Sequence, residues 1–172
     1  LCAIGCGSGS APVERGAPPP PAAEGRPVPG PATGAPAAST PATVRPRIVF
    51  LGDSLTAGLG LAQDEAYPAL LQQRLNAEGL NFEVVNAGVS GDTSAGGLSR
   101  LEWALDGDVR VMVVALGGND GLRGLPASDL KRNLGTIIEQ AQARGIKGLL
   151  AGMEAPPNFG QAYTVDFRQV YP

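Results

Sequence analysis

Histidine is absent from all 172 residues. This stretch therefore offers neither a His-ligated metal nor an imidazole base. Cysteine is scarce: Cys2 and Cys6 are the only two, so the remaining chain can build neither a disulfide framework nor a thiolate metal site. No apolar run reaches the roughly 18 residues of a membrane-spanning helix. Aromatic residues are missing before Arg47, where 11 of the 16 prolines fall. Residues 7–46, almost wholly Pro, Ala, Gly, Ser and Thr, cannot build a core and read as a disordered linker. Residues 47–172 carry all 8 aromatics, with 14 acids against 10 bases. That net charge of −4 argues against a nucleic-acid partner held by a basic surface.

Residues 1–6 read as the remnant of a signal. The chain opens on Leu1 rather than Met, and Ala3-Ile4-Gly5-Cys6 resembles a bacterial lipobox, in which Cys6 would be lipidated. An exported protein is expected, periplasmic or tethered to the envelope through Cys6, with the proline-rich stretch as a semi-rigid spacer.

From Arg47 the pattern alternates between strand and helix. The run Arg47–Leu51 is β-branched and aromatic, as a buried strand requires, and Phe82–Ala87, Val109–Leu116 and Ile146–Met153 read as the next three strands. Between them, Tyr67–Gly79, Leu98–Leu105 and a run from Ser128 as N-cap to Arg144 read as helices. Leu130, Leu134, Ile137, Ile138 and Ala141 mark the buried face of the third, and Trp103 reads as core beside Leu98, Leu101 and Leu105. The alternation predicts a parallel α/β sheet covered on both faces. Such sheets carry their sites at the carboxyl ends of the strands.

Three loops leave those ends with compact polar clusters: Gly52-Asp53-Ser54-Leu55, Asn86-Ala87-Gly88-Val89-Ser90-Gly91, and Gly117-Gly118-Asn119-Asp120. Their chemistry suits acyl-ester hydrolysis. A serine at a strand-to-helix turn exposes its hydroxyl next to backbone N–H groups, which can receive a developing oxyanion. Ser54 has that position. Gly88 can bring its N–H close because it has no side chain, and Asn119 can add a neutral NH₂ donor. Asp53 reads as support for the serine turn. Asp53, Asp92 and Asp120 could be drawn together as a metal site, but carboxylates on separate strand-end loops are common in such folds, and no metal is expected.

These three clusters resemble blocks I, II and III of the GDSL or SGNH hydrolases, most closely the bacterial thioesterase I, lysophospholipase and arylesterase group. The likeness runs over residues 47–172 and includes Tyr67-Pro68 and the segment Tyr163–Pro172. It implies a flavodoxin-like three-layer α/β/α sandwich with strand order 2-1-3-4-5. It also implies Ser54 as nucleophile and an oxyanion hole of the Ser54 N–H, the Gly88 N–H and the Asn119 side chain. No cofactor is implied. Leu122 and Leu125 would form an apolar lip for an acyl chain, or simply a surface loop with two half-buried leucines.

One block has no counterpart. The family's Asp-x-x-His segment is not found: Asp166-Phe167-Arg168-Gln169 has glutamine in the histidine place and lies within a helical stretch, so Asp166 reads as a solvated helix residue. The expectation is a domain incomplete at its C-terminus, with its last strand and helix missing, and inactive without a base for Ser54. The parent reads as a serine esterase acting on small acyl esters or thioesters. A carbohydrate O-deacetylase of the same family is the alternative, as is a non-catalytic binding module if Pro172 is the natural end.

Overall fold

In a computed structural model of the protein, residues 45–171 are described. The lipobox-like segment ending at Cys6 and nearly all of the expected linker lie outside them. Four strands, β1 (Arg47–Gly52), β2 (Glu83–Gly88), β3 (Val109–Ala115) and β4 (Lys147–Leu150), form one parallel sheet in the order β2-β1-β3-β4. Among the described residues seven α-helices connect or flank them: α1 (Ser54–Ala57), α2 (Tyr67–Ala77), α3 (Ser94–Ser99), α4 (Leu101–Ala104), α5 (Gly118–Leu122), α6 (Ala127–Ala143) and α7 (Gln161–Arg168). The sequence signals for β1 to β3 agree with the structure to within one residue at each end. Among the described residues, no helix is long and apolar enough to cross a membrane.

The core lies where the central strands meet α4, α6 and α7. Val49 and Leu51 of β1, Met112 and Val114 of β3, and Leu130, Leu134, Ile137 and Ala141 of α6 are buried together with Phe167 of α7. Each fully buried Leu, Ile or Phe contributes roughly 1.5–3 kcal/mol relative to exposure. Glycines end several elements; Gly145, at φ +74°, turns the chain out of α6 toward β4.

Four expectations need correction. The expected helix over Leu98–Leu105 is two short helices separated at Arg100 (φ −110°, ψ 11°), and the first begins earlier, with Thr93 Oγ1 capping the Gly96 N–H at 3.3 Å. Trp103 is 67% exposed rather than core. Leu101, Ala104 and Leu105 share the buried face at three- and four-residue spacing, which leaves position 103 on the outside. Helix α6 is capped at Pro126, not Ser128, which is already inside its first turn and exposed. Strand β4 covers only four of the eight residues expected, because pairing with β3 is confined to Lys147–Leu150.

Candidate active site

The three loops singled out from sequence do meet at the carboxyl ends of the strands. The first is built around Asp53, which is 2% exposed. Its Oδ1 accepts the Leu55 N–H at 3.0 Å, capping α1, and its backbone carbonyl accepts the Ala57 N–H at 2.9 Å. Ser54 is thereby held as the first residue of a helical turn, half-buried, with an N–H that has no intrahelical acceptor. The turn is secured from below. Thr56 is fully buried with its hydroxyl 2.8 Å from Tyr67 Oη, and its carbonyl accepts from Asn86 Nδ2 at 2.9 Å.

Asn119 joins the other two loops to the first. Its Nδ2 donates to the Asp92 carbonyl at 2.8 Å and to Asp53 Oδ2 at 3.2 Å. Next to it, Asp120 is 2% exposed and ties the third loop to α3, accepting the Ser94 N–H at 2.8 Å and the Ser94 hydroxyl at 2.6 Å. Asn133 of α6 donates to that same hydroxyl at 3.0 Å. The three aspartates considered as a metal set are thus engaged by separate donors: Asp53 by Leu55 and Asn119, Asp120 by Ser94, and Asp92 by Arg100 at 2.6 Å.

Gly88 requires a correction. Its N–H is bonded to Asn86 Oδ1 at 3.0 Å and so is engaged within its own loop. Its lack of a side chain matters for packing, since a Cβ there would collide with the backbone of Thr56 and Ala57. Three residues on, the turn closed by Asp92 N–H to Val89 O at 3.1 Å holds Gly91 at φ +84°. Such a conformation is open to glycine at little cost. Among the described residues the Gly91 N–H has no protein acceptor, while its carbonyl accepts from Arg123 at 2.8 Å. Gly91 stands in the second cluster, where the donor role was expected of Gly88, whereas no local pattern marks Arg100 and Arg123, because their partners lie on other loops.

An apolar groove of about 400 Å³ opens beside this point, lined by Leu55, Leu122, Met153 and Pro156, with Gly118, Gly152 and Glu154. Leu55 and Leu122 are 70% and 66% exposed, an arrangement that leaves apolar surface for a ligand rather than for the core. Leu125 is not part of it. It is half-buried, and its carbonyl is held by the Tyr163 hydroxyl at 2.8 Å. The Arg168 guanidinium bonded to Glu154 lowers the pKa of that carboxyl, so one rim of the groove carries an ion pair. Asp166 is exposed on α7.

Tyr171 supports the third loop from the far end of the chain. Its hydroxyl donates to the Leu116 carbonyl at 2.9 Å, and it packs so near Gly117 (φ +120°) that a Cβ there would collide with the phenol oxygen. Burial, reinforced by the charges of Asp120 and Asp53, raises its pKa well above the ordinary 10.0. The unfolded phenol ionises near 10 while the folded one keeps its proton, so stability is complete below pH 10 and falls as pH rises beyond it. Urea midpoints measured at pH 8 and pH 11 should therefore differ. Tyr171→Phe should lose about 1 kcal/mol at pH 8 from the missing hydrogen bond yet show a smaller further drop at pH 11. Burial also raises the pKa of Tyr67 and Tyr163, so the alkaline decline should shrink without vanishing.

Comparison with known proteins places the chain in a family. The GDSL-like Lipase/Acylhydrolase family model matches residues 50–172. The chain is 47% identical over 125 residues to "Esterase TesA" of Pseudomonas aeruginosa, covering 72% of this chain and 62% of that protein. It is 39% identical over 126 residues to "Thioesterase 1/protease 1/lysophospholipase L1" of Escherichia coli, covering 73% and 59%. Among solved structures, AlinE4, described as an SGNH-hydrolase family esterase, superposes with a TM-score of 0.70 at 46% identity, covering 74% of this chain and 69% of that one. The chain thus spans about three-fifths of the length of these two curated relatives. The family model spans most of the chain and the fold superposes on a member of known structure, so the chain belongs to the GDSL-like lipase/acylhydrolase family.

Proposed function

We propose that the complete protein is a serine esterase that cleaves carboxylic ester or thioester bonds of acyl substrates through an acyl-Ser54 intermediate. The observation that carries this reading is the Asn119 side chain, which bonds at once to Asp53, next to Ser54, and to Asp92, next to Gly91. Ser54 Oγ attacks the carbonyl carbon, and the carbonyl oxygen becomes an oxyanion. The Ser54 N–H, the Gly91 N–H and the Asn119 amide receive it, with Gly91 taking the role first expected of Gly88. The longer Asn119 bond, to Asp53 Oδ2, is the one the substrate oxygen displaces; the shorter keeps the amide in plane. Collapse expels the alcohol or thiol, and water then releases the acid from Ser54. The base for Ser54 is assigned to sequence outside these 172 residues, which contain no histidine.

Asn119→Ala tests the donor role in the complete gene product. It should lower kcat by roughly 10²-fold or more with KM little changed, because an oxyanion donor acts where charge develops. A raised KM at constant kcat would make Asn119 a ground-state contact instead. The groove of Leu55, Leu122, Met153 and Pro156 favours acyl chains longer than acetate, against the O-deacetylase alternative. Activity on p-nitrophenyl esters should accordingly rise from acetate to longer chains; a steep fall beyond acetate would select the deacetylase. Export and lipidation at Cys6 are part of the same proposal, supported by the lipobox-like Ala3-Ile4-Gly5-Cys6. Cells fed labelled palmitate should mark the protein, and Cys6→Ser should abolish the label.

A further inference from the structure

We propose that Arg100 is a positioning residue for the oxyanion-binding loops, an inference that rests on the esterase reading above. The chain breaks between α3 and α4 at this residue, and its side chain turns to the carboxyl edge of the sheet. There the guanidinium makes three bonds. Nε donates to Asp92 Oδ2 at 2.6 Å, Nη1 to the Ala87 carbonyl at 2.8 Å and Nη2 to the Gly52 carbonyl at 2.9 Å.

Each partner flanks a functional segment. Gly52 precedes Asp53-Ser54 at the end of β1, and its carbonyl also accepts the Val89 N–H at 3.0 Å. Ala87 sits at the end of β2, where the second loop departs. Asp92 follows Gly91, and its own carbonyl holds the Asn119 amide at 2.8 Å. One side chain thus sets the distance between the ends of β1 and β2 and anchors the residue to which the third loop is bonded.

The site is built for this arrangement. The side chains of Arg100 and Asp92 are 17% and 18% exposed, so each needs the other's charge to be tolerated there. Gly96 makes room for the carboxylate: a Cβ at that position would lie 2.7 Å from Asp92 Oδ1. Lysine cannot replace the fork, because an ammonium is a point charge without the planar spread of donors that reaches two strands and a carboxylate together. Arg100 needs no contact with substrate. Its effect passes through donor placement, where an error of about 1 Å can cost on the order of 10²-fold in rate.

The test uses Arg100→Lys in the complete gene product with p-nitrophenyl butyrate. We expect kcat to fall by roughly 10²-fold while KM stays within about 3-fold. Ile137→Val, which trims the buried face of α6 without touching the Arg100 bonds, should lower the melting temperature with kcat retained. Asp92→Asn should show the same kcat-selective loss in milder form and serves alone if the lysine variant does not fold. Arg100→Ala should regain part of its kcat when millimolar guanidinium is added. Wild-type kcat in Arg100→Lys or Asp92→Asn, a loss expressed in KM alone, or a loss no greater than that of Ile137→Val would overturn the positioning role while leaving the esterase reading intact. Activity that survives Ser54→Ala would overturn both.

Discussion

Ser54→Ala should remove the esterase activity of the complete gene product, with kcat falling by about 10⁴-fold or more and KM nearly unchanged. The size follows from the role. Losing the nucleophile removes the covalent route, leaving only the assistance that the oxyanion donors and binding give to direct attack by water. The structure also indicates why the variant should fold. Helix α1 is capped by the side chain of Asp53, and its packing depends on Thr56 and Tyr67, so the Ser54 hydroxyl is not part of either support. The helical N–H groups and the Asn119 network remain, as does the apolar groove. Steady-state kinetics on a p-nitrophenyl ester, together with an unchanged melting temperature, would separate this from unfolding. A variant that keeps more than a tenth of wild-type kcat would remove Ser54 from the chemistry.

The second large effect concerns the 172 residues assayed by themselves. On the proposed reading they supply Ser54 and the oxyanion donors but no histidine, and a serine hydroxyl without a base stays protonated and weakly nucleophilic. Only residual acceleration, on the order of 10³- to 10⁴-fold over water, is expected from donors and binding. Turnover with a p-nitrophenyl ester should therefore lie far below the roughly 10 s⁻¹ typical of enzymes. Joining an Asp-x-x-His segment of a relative to this chain should raise it by orders of magnitude. Turnover near the typical value from the 172 residues, abolished by Ser54→Ala, would mean that one of the resident carboxylates or tyrosines acts as base.

Strands β1 to β3 were legible because they are short apolar runs with β-branched residues, whereas β4, Lys147–Leu150, has none and its bounds were misread. Leu130, Leu134, Ile137 and Ala141 were legible because one face of a long helix repeats at fixed spacing. The strand-to-helix turns that carry Asp53, Ser54 and Asn119 could be read because glycine and small polar residues mark them. What sequence did not disclose depends on partners far along the chain. Arg100 looks like an ordinary polar residue on a helix, yet it reaches a carbonyl 48 positions away, and that contact coincides with the break that splits the expected helix. Trp103 is exposed because Leu101, Ala104 and Leu105 take the buried face of their helix. Gly88 and Gly91 lie in the same loop and are equally suited to a donor role by composition. Only the bond from Gly88 N–H to Asn86 separates them.

The account rests on Ser54 forming a covalent acyl intermediate, and trapping that residue addresses it directly. The complete gene product can be incubated with an alkyl fluorophosphonate, a tetrahedral mimic that esterifies an activated serine, then digested and analysed by mass spectrometry. The account predicts one adduct, on the peptide containing Gly52-Asp53-Ser54-Leu55, with loss of esterase activity in step with labelling and no label in Ser54→Ala. An adduct on another residue, or full esterase activity in protein with Ser54 quantitatively modified, would contradict it.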